Sequence, residues 1–95
     1  MNRDTVLADL RARGSVGFCF FDDPRGKTNA VVVSYGREGY QTWIQDERAQ
    51  PIEGSLRVFA AEQEALADFA HRVQLWNRVS GVLSPGPSGA GAAAV

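Results

Sequence analysis

Two acidic pairs are the residues of this chain best placed to act in concert. Asp22-Asp23 and Asp46-Glu47 each close a stretch rich in β-forming residues. If those stretches are the first and third strands of a meander, they run in the same direction and both pairs fall at one sheet edge. Carboxylates there have three uses. They keep solvated loops in water, which is the ordinary fate of loop charges. They form an acidic lip that steers and docks a basic partner. Or they cleave a glycosidic bond as a catalytic pair, which needs a shaped cleft that so small a meander has little room to build. The remaining candidates are single residues. His71 is the only imidazole. On a helix its neighbours are Ala67, Asp68, Gln74 and Leu75. Asp68 could pair with it, but neither a third metal ligand nor a positioned Ser or Cys is signalled. His71 therefore reads as a surface residue. Cys19, between Phe18 and Phe20, lacks the cationic neighbour or helix N-terminus that makes a reactive thiolate, and reads as a small buried hydrophobe. No glycine-rich phosphate loop is present. No catalytic residue, metal ligand or cofactor is assigned, and the expectation is a non-enzyme that works by presenting a surface.

The elements that would position these residues follow from periodicity. Asp4 to Arg13 predicts a short helix with Val6, Leu7 and Leu10 on one stripe, capped by Asn2 or Asp4 and stopped by Gly14. Val16 to Phe21 predicts a first strand with Phe18 and Phe20 on one face, and Cys19 and Phe21 on the other. Pro24 and Gly26 supply turn chemistry in the DDPRGKT segment. Asn29 to Tyr35 is the strongest strand, with three consecutive valines. Gly36 and Gly39 bracket a hairpin loop. Tyr40 to Gln45 follows, and Tyr40, Thr42 and Ile44 form its inward face. Trp43 then points outward among Gln41 and Gln45, as an exposed interface anchor does. A one-residue slip in register would turn it inward instead. Ser55 to Ala60 predicts the fourth strand, with Leu56 and Val58 on one side and Arg57 and Phe59 on the other. From Ala61, Leu66, Phe69, Val73 and Trp76 recur at helical spacing, and Gly81 stops the helix.

The expected fold is α+β. A short N-terminal helix leads into a four-stranded antiparallel meander, and a long C-terminal helix packs on one sheet face. Cys19, Phe21, Trp43 and Phe59 are candidates for the second face. Residues 1–83 form the single domain, and residues 84–95, a Gly/Ala/Pro-rich run without charge or aromatic, form a flexible tail that buries too little to offset ordering.

With ten basic and eleven acidic residues interspersed, formal charge is −1. No basic run offers a nucleic-acid footprint. The longest apolar runs fall far short of a membrane span. The N-terminal segment has acids where a signal peptide needs an apolar core, so a cytoplasmic location is expected. One cysteine excludes an intrachain disulfide.

Val31 through Arg78 resembles the small immunity proteins of bacterial polymorphic toxin systems, particularly those of actinobacteria. The resemblance covers about half the chain. It rests on the valine-rich strand ending in Tyr35-Gly36, the strand Tyr40-Gln-Thr-Trp-Ile44 and the Asp46-Glu-Arg48 loop, then on Glu62-Gln-Glu-Ala-Leu66, Phe69 and a helix reaching Asn77-Arg78. It implies a protein that neutralises a cognate toxin domain by direct binding. The near-neutral charge departs from the distinctly acidic character of immunity proteins against nucleases. The partner-binding residues expected from the chain itself are Trp43, Asp46, Glu47, Asp22 and Asp23. An adaptor or regulatory module without a toxin partner is the competing class, and a small enzyme the third.

Overall fold

The computed structural model describes residues 2–79. The expected helix stop at Gly81 and the tail at 84–95 lie outside the described residues. Six elements follow in order: α1 (Arg3–Ala12), β1 (Phe18–Phe20), β2 (Ala30–Gly36), β3 (Gly39–Gln45), β4 (Arg57–Phe59) and α2 (Glu62–Val79). They make the expected α+β fold, and α2 packs on one face of a four-stranded sheet.

The helices form where sequence periodicity sets them. Asn2 caps α1: its side chain accepts from the Thr5 N–H at 2.9 Å, and Thr5 Oγ1 accepts the Asn2 N–H at 3.1 Å. Val6 and Leu10 are the buried stripe. Glu62 and Glu64 occupy the first turn of α2 and Arg78 its last, the order the helix dipole favours. Leu66, Phe69 and Val73 are fully buried against Val31 and Val33. Trp76 is half-buried and donates its Nε1–H to the Asn29 carbonyl at 3.0 Å. Asn77 extends this face unexpectedly. Its buried amide accepts from the Val16 N–H at 2.9 Å and donates to the carbonyls of Val16 and Val73 at 2.8 and 2.7 Å. The end of α2 is thereby fastened to the segment that leads into β1.

The sheet is mixed, where a purely antiparallel meander was expected. β2 pairs antiparallel with β3, and β3 with β4, but β1 runs parallel to β2, with Phe18 opposite Val31 and Phe20 opposite Val33. The physical reason lies in residues 21–29. Pro24 and Gly26 do build a turn, in which the Lys27 N–H donates to the Pro24 carbonyl at 3.1 Å and Gly26 takes φ 77°. That turn sits within a longer return, because Phe21 and Asn29 also adopt positive φ, at 52° and 51°. Such values are uncommon for a bulky residue and bend the chain back on itself. The return crosses the sheet face opposite α2. Gln45 holds it there, donating from Nε2 to the carbonyls of Pro24 and Lys27 at 3.0 and 2.7 Å. Cys19 Sγ meets the Asp22 carbonyl at 3.5 Å beneath it.

This return covers half of the second face. Cys19, Ala30, Val32 and Gln45 are buried. Phe21 and Phe59 are not part of that face. Positive φ at Phe21 turns its ring to the helix side, edge-on to Phe20 and Tyr40, with the Arg3 guanidinium 3.7 Å from its centroid. Phe59 pairs with Tyr40, and both pack against the core under α2.

Candidate functional site

The register of β3 decides the site. Val31 and Val33 face α2, and their partners Ile44 and Thr42 share that face. Trp43, opposite Val32, therefore points the other way. It is half-buried, and its Nε1–H donates to Gln45 Oε1 at 3.0 Å. Gln45 is the residue that also holds the return, so one buried amide fixes both the loop and the indole.

Beyond Trp43 the second face lies open. Gln41 pairs with Val58 and Thr42 with Arg57. One step further, Ser55 Oγ accepts the Ile44 N–H at 3.1 Å, which sets Leu56 beside Trp43. Leu56 and Val58 are 55% and 47% exposed. Trp43, Leu56 and Val58 thus form an apolar row bordered by Ser34 and Gln41. Sequence alternation had grouped Leu56 with Val58, but three-residue β4 carries too little pattern to say that this side meets solvent.

The acidic pairs do not share a sheet edge. With β1 parallel to β2, β1 and β3 run in opposite directions, so the geometry expected of a meander fails. Asp22 and Asp23 belong to the return across the second face, whereas Asp46 and Glu47 follow the far end of β3. Three of the four carboxylates are engaged locally. Asp22 accepts the Asp23 N–H at 2.8 Å. Asp23 holds Arg25 through its guanidinium at 2.8 Å and its backbone N–H at 3.0 Å. Asp46 accepts the N–H groups of Arg48 and Gln50 at 2.8 and 3.0 Å, shaping its own turn and holding its carboxyl below the usual range. Glu47 is exposed.

The Arg25 guanidinium, helped by the Arg25 N–H, lowers the Asp23 carboxyl to about 2. The folded value is depressed, so the favourable interaction is complete above the ordinary value of 3.8 and is lost as pH falls through about 2. Carbon-detected NMR titration should give a midpoint near 2, and Arg25→Gln should move it up toward 3.8. A midpoint unchanged in Arg25→Gln would mean the pair does not persist in solution.

The other single candidates are resolved by their surroundings. His71 is exposed. Asp68 does not pair with it: one Asp68 oxygen accepts from Thr42 Oγ1 at 2.6 Å and approaches Arg72 Nε at 3.3 Å, while the other accepts from Arg57. Arg72 Nη1 reaches the Ser55 carbonyl at 2.7 Å. This cluster ties β3, β4 and α2 together. Only its i, i+4 leg from Asp68 to Arg72 had a sequence signal. Cys19 is a free, buried thiol whose pKa burial pushes up. Among the described residues no group of three or more His, Cys, Asp or Glu is arranged to hold a metal ion, and no helix is long and apolar enough to cross a membrane.

No protein-family model matches the chain, and no curated protein or solved structure matches it either.

Proposed function

We propose that this chain is a protein-binding module that docks its partner on the open half of the second sheet face, and that the partner is a toxin domain it neutralises in the cytoplasm. The observation that carries the first part is the held tryptophan. Gln45 is buried and makes two bonds to the return, so its Oε1 is a fixed acceptor for the indole. An aromatic ring already held in one orientation loses little side-chain freedom on binding, and its polar atom needs nothing from the partner. Leu56 and Val58 extend the apolar area at its side. Asp22 and Asp23 on the adjoining return, with Glu47 further along, contribute steering charge rather than anchorage. Asp46 belongs to its own turn and is the poorest member of the set to mutate as a test. The toxin partner is supported by the resemblance of Val31–Arg78 to immunity proteins.

Co-expression with the products of neighbouring reading frames tests this function. Rescue from a toxic product supports immunity, and stable association without toxicity favours an adaptor. With the partner in hand, Trp43→Ala should cost about 2 kcal/mol or more, roughly thirtyfold in affinity, mainly through faster dissociation. Circular dichroism must first show the variant folded. A folded variant that binds like wild type overturns the assigned surface.

A further inference from the structure

The sheet order places β4 at an edge, and among the described residues no strand lies beyond it. Its two faces differ. Leu56 and Val58 stand exposed on the second face, next to Trp43. Arg57 and Phe59 stand on the helix face, where Arg57 is bonded to Asp68. Asp68 also pairs with Arg72, and among the described residues neither arginine has another carboxylate within ion-pair distance. Two guanidiniums therefore share one carboxylate, leaving one positive charge in excess beside an open strand edge. The Arg57 side chain is 56% exposed and can reach an incoming group. The opposite edge is unlike this one. Cys19 is buried, Phe18 and Phe20 are half-buried, and no cation projects from β1.

We propose that β4 takes up an extended strand of the partner protein, with a carboxylate side chain set beside Arg57 and apolar side chains beside Leu56 and Val58. This rests on the protein-binding function proposed above and specifies its mode. An added strand satisfies the free backbone groups of the edge, and its side chains alternate between faces. Its middle residue then faces the helix side, where the unbalanced charge lies, and its neighbours face the apolar row. The preferred pattern is apolar, acidic, apolar. A second copy of this chain does not fit the pattern. Two β4 strands paired antiparallel about Val58 bring their Arg57 residues to diagonal positions about 7–8 Å apart, like charge toward like charge.

The test uses the whole chain, isotopically labelled for NMR, and the synthetic peptide Ser-Thr-Val-Glu-Val-Thr-Ser with blocked ends. So short an edge should bind it with a Kd of about 1 mM. Shifts concentrated on the amides of residues 56–59 are expected. A peptide with lysine for glutamate should bind at least about threefold more weakly at low salt, and one N-methylated at both valines should not bind. Val58→Lys, at an exposed site that a folded chain accommodates, should abolish the shifts, because an edge lysine blocks strand pairing. Shifts absent from 56–59, or equal affinity for the acidic and lysine peptides, overturn strand addition. So does a concentration-dependent dimer by sedimentation whose interface maps to β4. If the peptide fails while Trp43→Ala still weakens the partner complex, strand addition falls and the protein-binding function stands. If the peptide binds while Trp43→Ala leaves the partner's affinity unchanged, strand addition stands and the tryptophan surface falls.

Discussion

Phe69→Ala is expected to remove most of the domain's stability, leaving about 0–2 kcal/mol and up to roughly half of the population unfolded at room temperature. The ring is fully buried at the centre of the core. Phe18 meets it edge-on at 6.0 Å and Phe20 at a tilt at 5.6 Å. Truncation removes the transfer free energy of the ring and leaves a cavity whose walls come from α1, β1, β2 and α2. Such walls collapse only partly, so the cost is about 3–5 kcal/mol. A domain this small has a total stability near the low end of about 5–15 kcal/mol. Urea unfolding followed by circular dichroism measures the effect directly. Phe69→Leu keeps part of the volume and should fall between the two. A Phe69→Ala chain with a near-wild-type midpoint would mean that α2 does not present this face to the sheet.

Phe69 was legible in the sequence because a helical stripe is redundant. Leu66, Phe69, Val73 and Trp76 each report the same face, so one exception would not hide it. The valine run of β2 was legible for a similar reason, and alternation along β3 sufficed to turn Trp43 away from α2. The direction of β1 was not legible. It depends on Phe21 and Asn29 taking positive φ, and nothing in a phenylalanine's chemistry announces that. It depends also on Gln45, which reads as a polar strand end yet is buried and holds the Pro24 and Lys27 carbonyls. A local turn signal at Pro24 and Gly26 was present and correct, but a turn fits a hairpin and a crossing return equally well. An antiparallel β1 would bring the two acidic pairs to one edge, and the parallel β1 separates them. For Asp68 the obstacle was range. His71 and Arg72 both lie within one helical turn of it, whereas Thr42 and Arg57 are brought to it only by the sheet.

Asp68 supports the second large prediction. Its side chain is 12% exposed and that of Arg72 is 9% exposed. Burial pulls the Arg72 guanidinium below its usual range, Asp68 opposes that pull, and Arg57 adds to it. Asp68→Ala removes the only carboxylate of the cluster. Arg72 keeps the Ser55 carbonyl, loses its counter-charge and stays beside Arg57. Leaving a buried charge without its partner costs about 3–5 kcal/mol. The Thr42 hydroxyl, also buried, loses its acceptor at a further cost of about 1 kcal/mol. The double variant Asp68→Ala, Arg72→Met separates these contributions. It replaces the buried ion pair by apolar volume, which is often neutral or stabilising. Most of the single-variant loss should therefore return, leaving roughly the hydroxyl's share. Urea midpoints of the two single variants and the double variant at neutral pH complete the cycle. A loss of under about 1 kcal/mol for Asp68→Ala would mean that Arg72 escapes to water when its partner goes. Stability is not all the cluster supplies. Arg57 is the side chain that fastens β4 to α2, and Asp68 is what it holds. The double variant should regain most of its midpoint and still show faster hydrogen exchange at residues 57–59, because beyond its pairing with β3 that edge is then held on the helix side by Phe59 without an ion pair. Exchange there as slow as in wild type would show that β3 pairing and Phe59 packing, without the ion pair, fix the edge on which strand addition depends.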